Sequence, residues 1–153
     1  MTASHLAQLN IGRLRHPIDA PESAGFADAL DEINALAEAA PGYVWRLCDD
    51  SGNATSFSFR DDPLWILNLT VWESVEALRE YTYRTDHAGF VRRRREWFEP
   101  HERPHLVLWW IAAGTTPTIE EAVERLEQLE TAGPTPEAFT FAHRFTPDGE
   151  DVR

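Results

Sequence analysis

Two segments of this chain alternate between apolar and mixed residues with a period of two. In segment 5–14, positions 7, 9 and 11 are apolar, whereas Gln8 and Asn10 stand between them. In segment 65–72 the odd positions are all apolar, whereas the even positions include Asn68. Successive side chains of a strand point to opposite faces, so the pattern predicts two strands with one apolar face and one face that carries polar residues.

Helical spacing of apolar residues predicts helices between and after the strands. The predicted elements, in chain order, are a strand at 5–14, a helix from Ser23 to Pro41, a strand at 43–48, a strand at 65–72, a helix pair from Ser74 to Phe98 that breaks near Arg84, a strand at 106–111 and a helix at 118–132. The last helix begins with the capping box Thr118-x-x-Glu121.

The order of these elements predicts an α+β fold. The first six match the ferredoxin-like split βαβ arrangement, an antiparallel sheet with helices on one face. The sheet face that carries the polar residues is expected to be covered by a second subunit, which gives a dimeric α/β barrel and a homodimer. One domain is predicted over residues 1–141, including the appended helix 118–132, followed by an extended C-terminal tail at 142–153.

Composition excludes several classes of function. The 153 residues carry a formal charge of −12, and a field of this sign repels nucleic acid backbones and anionic lipid surfaces. All 14 basic residues are arginine, so no lysine is present for a Schiff base, pyridoxal phosphate or a P-loop. The run Arg92–Arg95 is interpreted as a solvated helix face, and neither nucleic acid nor a membrane is predicted as a partner.

The single cysteine, Cys48, forms no internal disulfide and no cysteine-rich zinc site. Segment 1–14 is too polar for a signal peptide, and no run approaches the ~20 apolar residues of a membrane span. These features predict a cytoplasmic protein.

The segment His101-Glu102-Arg103-Pro104-His105 has the letters of the zinc protease motif H-E-x-x-H. That motif needs a continuous helix to bring both imidazoles to one face, and Pro104 interrupts such a helix. No metal site is therefore predicted.

Asn10 and Asn68 are predicted to bind the substrate. Each is an amide on a strand otherwise suited to burial, where it can orient a substrate carbonyl or enolate. The alternative is that each bonds to a neighbouring backbone group or to water inside a dimer contact.

His87 is the predicted catalytic residue. It lies seven positions before Arg94, which predicts that both lie on the apolar side of one helix. A base that titrates near neutral pH and a fixed cation suit proton abstraction followed by oxyanion stabilisation, and Arg46 is a second candidate for holding the negative charge. The alternative is that His87 caps the helix and Arg94 makes a structural ion pair.

Aromatic residues on the predicted strands include Trp72, Trp109 and Trp110. Adjacent strand residues point to opposite faces, so some of these rings face the cavity, where a flat aromatic substrate would fit. Trp72 is a predicted binding residue, although aromatic strand residues more often belong to the core. Phe139 and Phe141 in the tail either close the pocket or hold the tail down.

The string Leu69-Thr70-Val71-Trp72-Glu73-Ser74 at a strand-to-helix junction resembles the antibiotic-biosynthesis monooxygenase-like superfamily. More narrowly, the chain is similar to the DUF3291 family up to about Phe141. The segments that carry this similarity are HLAQLN at 5–10, PGYVWRL at 41–47, the arginine-rich run at 92–98 and GPTPEAF at 133–139.

The resemblance implies a dimeric α/β barrel in which each subunit holds a pocket between its sheet and its helices. Members of the superfamily include cofactor-independent quinone-forming oxygenases, haem-degrading enzymes and small isomerases. The haem-degrading members use an Asn on the first strand, a Trp on the helix after the junction and a later His. Asn10 matches the first, but Tyr81 stands at the Trp position and Val91 at the His position. Tyr81 is accordingly predicted to contact the substrate, and the departure argues against haem degradation.

The sequence thus predicts an oxygenase, isomerase or cyclase without a metal or organic cofactor, acting on a flat, aromatic or polyketide-like substrate. One alternative is a dimeric protein that binds a small ligand without catalysis. A second is a haem-binding protein in which His87 replaces the missing ligand one helical turn away.

Overall fold

The computed structural model describes residues 3–48, 62, 64–87, 89–100 and 105–152, with the side chains of 85–87 and 90–92 left out. Its elements, in chain order, are β1 (Ser4–Arg13), a 3-10 helix (Pro21–Ser23), α1 (Ala24–Ala39), β2 (Tyr43–Arg46), β3 (Trp65–Trp72), α2 (Val75–His87), α3 (Phe90–Trp97), β4 (Leu106–Ala112), α4 (Ile119–Ala132), β5 (Arg144–Phe145) and β6 (Asp151–Val152).

The core of the fold is an antiparallel sheet with the strand order β2-β3-β1-β4. This is the ferredoxin-like order, so the predicted α+β class and the split βαβ arrangement are confirmed. In the register between β1 and β3, Gln8 lies opposite Thr70 and Asn10 opposite Asn68. The two alternating segments are therefore paired so that their polar residues share one face.

One face of the sheet, here called the α4 face, is apolar and packs against α4. Its central strand residues are fully buried, and the apolar stripe of one amphipathic helix packs against them. Trp45, Trp65 and Ile111 at its margins are partly buried. The members of this cluster include Ala7, Leu9, Ile11, Leu67, Leu69, Val107 and Trp109 of the sheet and Ala122, Leu126 and Leu129 of α4.

The opposite face, here called the three-helix face, carries the polar residues of β1 and β3 and packs against α1, α2 and α3. At one end it is closed by α2 and by the tail, and at the other by α1 and α3. Contacts at the first end include Leu6, Trp72 and Leu108 with Val75, Leu78 and Phe139. Contacts at the second end include Ile66 with Phe26, Ile33 and Trp97.

This arrangement corrects the reason for expecting a second subunit. The polar face was expected to need a partner's cover, but it is the face over which this chain's own α1, α2 and α3 pack. On the other face α4 of the same chain packs over β1 and β4, whereas Trp45 and Trp65 on the β2 and β3 side are only partly buried. The homodimer stays a prediction.

The helix pair also differs from the prediction. The break was expected near Arg84, with His87 at the start of the second helix, but α2 continues to His87 and α3 begins at Phe90. Gly89 lies between them with a φ of 90°, a left-handed conformation that ends a helix and favours glycine. His87 and Arg94 therefore lie on two different helices, and the predicted single stripe does not exist.

The end of the chain packs onto the sheet. Thr118 caps α4 by accepting a hydrogen bond from the Glu121 amide at 3.1 Å, as predicted. Phe139 exchanges two backbone hydrogen bonds with Leu108 of β4, at 2.8 and 2.9 Å, and its side chain is fully buried. Phe139 thus holds the tail down, and β5 and β6 pair as a short hairpin beyond it.

Among the helices that the structure describes, none combines the length and the apolar character that a membrane span requires.

Candidate functional site

A row of polar side chains crosses the middle of the three-helix face. Gln8 Nε2 donates to Thr70 Oγ1 at 2.8 Å and to Asn68 Oδ1 at 3.1 Å. Trp72 Nε1 donates to the same Thr70 oxygen at 2.8 Å. Gln8 and Thr70 are only 4% and 3% exposed, so this network is held in a fixed arrangement away from bulk water.

Asn68 is exposed although it lies on an interior strand. On one side Asn68 is paired with Asn10 of β1, whereas β2 ends at Arg46, opposite Thr70. The residues next to it along β3 on the same face, Ile66 and Thr70, are half-buried and buried. Asn68 is therefore the point at which the polar row of the three-helix face reaches solvent, and this opening is called the cleft below.

Two buried atoms next to this opening have no hydrogen-bond partner within the described part of the chain. They are Asn10 Oδ1, an acceptor, and Arg46 Nε, a donor. Asn10 is the cross-strand partner of Asn68, and Arg46 is that of Thr70. A third such atom, Nδ1 of His5, belongs to the α4 face.

The Arg46 guanidinium is oriented by an ion pair with α1. Its Nη2 lies 3.2 Å from Glu38 Oε1, and the side chain is 13% exposed. The contact uses the far end of the guanidinium and leaves Nε toward the sheet unpaired. One donor of this largely buried cation therefore has no acceptor within the described residues.

Arg94 reaches the same face from α3. Its Nη2 donates to the backbone oxygen of Ile11 at 3.3 Å, and its guanidinium lies 5.0 Å from the centre of the Phe98 ring. Burial lowers the pKa of Arg94 below its ordinary value, because the charged form loses hydration. A Cβ on Gly12 would come within 2.7 Å of the Phe98 ring, so glycine allows this close approach.

Two aromatic rings close the cleft toward α2. Trp72 and Tyr81 are stacked with their centroids 5.0 Å apart and their planes at 25°. The Tyr81 hydroxyl donates to the backbone oxygen of Ile33 on α1 at 3.3 Å. Burial raises the pKa of Tyr81 to about 12, with a smaller opposing effect from Arg46, so this phenol is neutral at physiological pH.

Most of the residues that the sequence singled out lie on this one face. These are Asn10, Arg46, Asn68, Trp72, Tyr81 and Arg94. Trp72 is fully buried, so it orients its neighbours through Thr70 and Tyr81. The side chain of His87 lies outside the described residues, and its catalytic role stays a prediction.

Gln8 and Thr70 were not predicted as site residues, although they form the centre of the network. The signal was present in the sequence, because both occupy the polar side of the two alternating segments, as Asn10 and Asn68 do. Their importance follows from the register that pairs Gln8 with Thr70, which the sequence does not contain.

The H-E-x-x-H letters fall on residues 101–105, of which 101–104 lie outside the described residues. Over the described ranges, no group of three or more His, Cys, Asp or Glu side chains is arranged to hold a metal ion. The donors around the cleft are amides, a hydroxyl and guanidinium groups, which bind oxygen-bearing organic groups.

Two solved structures resemble this chain in fold. One is SnoaB, a cofactor-independent oxygenase from Streptomyces nogalater, at 16% identity and a TM-score of 0.49 over 74% of this chain and 97% of that one. The other is PA3566 from Pseudomonas aeruginosa, at 12% identity and a TM-score of 0.49 over 75% and 99%. Likeness of this size carries no argument about activity.

No curated protein matches the sequence. The family model for a domain of unknown function, DUF3291, matches residues 5–153. The match covers nearly the whole chain, including both alternating strands, the helices of the three-helix face and the tail. This protein therefore belongs to the DUF3291 family.

Proposed function

We propose that this protein binds a small, flat, oxygen-bearing molecule in the cleft above the three-helix face and transforms it without a metal or organic cofactor. The observation that carries the proposal is the exposed Asn68 of β3, next to the unpaired buried atoms Asn10 Oδ1 and Arg46 Nε. A buried donor or acceptor without a partner costs about 1–3 kcal/mol. A ligand that supplies both partners would recover that cost.

The chemistry of the cleft supports a particular kind of ligand. A hydroxyl group would satisfy Asn10 Oδ1, and a carbonyl or an ionised oxygen would satisfy Arg46 Nε. At one end the half-buried Tyr81, stacked on the fully buried Trp72, offers an aromatic side chain, which suits a planar body. A hydroxylated aromatic or polyketide-like molecule combines these features.

The reaction class comes from the sequence resemblance and is oxygenation, isomerisation or cyclisation. In this proposal Asn10 and Asn68 orient the substrate, His87 transfers a proton, and Arg94 or Arg46 stabilises the negative charge that develops. We also propose that the protein works in the cytoplasm as a homodimer.

A second candidate is a binding protein without catalysis. The described side chains around the cleft are amides, a hydroxyl, guanidinium groups and a phenol with a pKa of about 12. None of these transfers a proton readily at neutral pH, so catalysis depends on His87. This observation favours binding as the function of the described groups taken alone.

The test is isothermal titration calorimetry with 2-naphthol and anthrone, combined with dioxygen uptake during incubation with anthrone. In Asn68→Trp a large side chain fills the opening, and affinity for both probes is expected to fall at least about tenfold. Val44→Trp is the matched control, because Val44 is an exposed residue of the edge strand β2. It should leave affinity unchanged.

The outcomes separate the candidates. Binding that is lost in Asn68→Trp, together with dioxygen uptake that is lost in His87→Ala, supports the enzyme. Binding without consumption of any probe supports the binding protein. Failure of both probes to bind, or equal affinity in Asn68→Trp and the wild type, would overturn the proposal.

A further inference from the structure

The Thr70 hydroxyl receives two hydrogen bonds from groups that cannot accept one in return. The Trp72 indole nitrogen is a donor only and lies 2.8 Å from Thr70 Oγ1. Gln8 Nε2 lies 2.8 Å from the same oxygen. The Gln8 nitrogen also lies 3.5 Å from the backbone oxygen of Asn68, which can only accept, so the amide is oriented with its nitrogen toward Thr70.

These contacts determine what the Thr70 hydroxyl can still do. A hydroxyl oxygen has two lone pairs and one hydrogen, and both lone pairs are occupied by the two N–H groups. The hydrogen must therefore be donated to a third group. No acceptor for it is found among the described residues, and Gln8, Thr70 and Trp72 are all buried. Thr70 is thus a donor of fixed direction.

A second unpaired donor lies on the neighbouring strand β2, opposite Thr70. Arg46 on β2 is the cross-strand partner of Thr70, and the Cβ atoms of such partners are about 5 Å apart. Arg46 Nε is buried and unpaired within the described residues, while the Glu38 ion pair holds the far end of the guanidinium at 3.2 Å. Two fixed donors, one of them charged, are therefore adjacent on the same face.

We propose that the Thr70 hydroxyl and Arg46 Nε together bind an oxyanion of the ligand, such as a phenolate or an enolate. Gln8 and Trp72 are positioning residues, because their two N–H groups occupy the lone pairs of the Thr70 oxygen and leave its hydrogen to be donated to the ligand. This inference rests on the proposed function, since it places the ligand in the same cleft. The new element is that the ligand binds with an ionised oxygen directed at Arg46 of β2 and Thr70 of β3.

The experiment uses 4-nitrophenol, whose phenolate and phenol absorb at different wavelengths, and 4-nitroanisole, which cannot ionise. The wild type is expected to bind the phenolate at least about tenfold more tightly than the phenol, which lowers the pKa of the bound probe by about one unit. Thr70→Ser should retain this preference, and Thr70→Val should lose it. Thr82→Val on α2, at an exposed threonine, is the matched control.

Thr70→Val leaves two N–H groups without an acceptor, and this variant can fail to fold. Arg46→Gln then gives the second route, because it keeps a polar side chain of similar reach and removes the charge. It should reduce the preference for 4-nitrophenolate over 4-nitroanisole at least about tenfold.

Failure of this inference is distinguishable from failure of the proposed function. Equal binding of 4-nitrophenolate and 4-nitroanisole, with both lost in Asn68→Trp, overturns the oxyanion site and keeps the cleft. Loss of the preference in both Thr70→Ser and Thr70→Val shows a structural role for Thr70 and also overturns the assignment. Absence of aromatic binding, or binding that Asn68→Trp does not change, overturns both proposals.

Discussion

The two faces of the central sheet are built by the same strands, yet they do different things. On the α4 face, Leu9, Leu69 and their neighbours meet one amphipathic helix in an apolar layer, and His5 Nδ1 is the one unpaired buried side-chain atom among its described residues. On the three-helix face, the adjacent residues of the same strands are Gln8, Asn10 and Thr70, and two buried polar atoms remain unpaired. The apolar contacts of the α4 face stabilise the fold, whereas the buried polar groups of the three-helix face cost folding free energy.

The difference has a physical basis in the free energy that apolar and polar groups contribute when they are buried. An apolar layer gains about 25 cal/mol for each Å² of apolar surface that it removes from water. Buried polar groups gain little, even when they are fully paired, and an unpaired group costs about 1–3 kcal/mol. Folded chains keep such groups mainly where function requires them. The three-helix face is therefore where substitutions should separate stability from binding.

The largest effect is expected on the α4 face. Leu126 is fully buried against the sheet, and Leu126→Ala should lower the free energy of unfolding by about 2–5 kcal/mol, because it removes apolar contacts and leaves a cavity. Urea unfolding measures this loss. The affinity of the folded fraction for 2-naphthol should not change.

Glu127→Ala is the control for this prediction. Glu127 is the next residue of α4 and is exposed, so its removal should change stability by less than about 0.5 kcal/mol. A Leu126→Ala protein as stable as the wild type would mean that α4 does not cover this face in solution.

A smaller effect of opposite sign is expected on the three-helix face. Asn10→Leu replaces an amide that has an unpaired buried oxygen with an apolar side chain of similar size. It should raise the free energy of unfolding by about 1 kcal/mol. The same change should weaken 2-naphthol binding at least about tenfold, since the acceptor for the ligand hydroxyl is gone.

Gln128→Leu tests whether any change from amide to leucine has this result. Gln128 lies half-buried on α4, away from the cleft, and this variant should bind 2-naphthol like the wild type. If Asn10→Leu destabilises the fold, Asn10 is paired in solution, and the contrast between the two faces is weaker than described.

The smallest effect concerns Tyr81 at high pH. Burial raises the pKa of Tyr81 from 10.0 to about 12, so the folded state favours the neutral phenol. Its contribution to stability is fully present below pH 10 and is lost as the pH rises through about 12. Between about pH 9 and about pH 11, the wild type should lose about 1 kcal/mol more than Tyr81→Phe in urea unfolding.

Tyr83→Phe is the matched control on the same helix, because Tyr83 is 62% exposed. It should lose stability over this pH range as the wild type does. An identical loss in Tyr81→Phe and the wild type would show that Tyr81 ionises freely, and that α1 and α2 do not close over it.

The sequence was sufficient for the strands because alternation reports burial directly. The apolar and polar sides of segments 5–14 and 65–72 were assigned correctly, and the ferredoxin-like order followed from the sequence of elements. The prediction of the helix pair was less accurate. The first helix continues past Arg84, and the break is at Gly89, which has a left-handed conformation. That error placed His87 and Arg94 on one helix.

The sequence did not indicate which helices pack on which face of the sheet. The polar side of the strands was predicted correctly, but its cover was assigned to a second subunit, because a period of two distinguishes faces without saying what packs on them. The packing of α1, α2 and α3 there, and of α4 opposite, depends on contacts between residues far apart in sequence.

The sequence by itself determined that two paired strands would carry amides and a hydroxyl on one side, since side-chain direction in a strand is local. Tertiary structure alone decided that Gln8 and Trp72 both donate to Thr70, and that Arg46 faces it with an unpaired nitrogen. Strand register and the reach of each donor set those contacts, and both depend on how the whole sheet and its helices pack together.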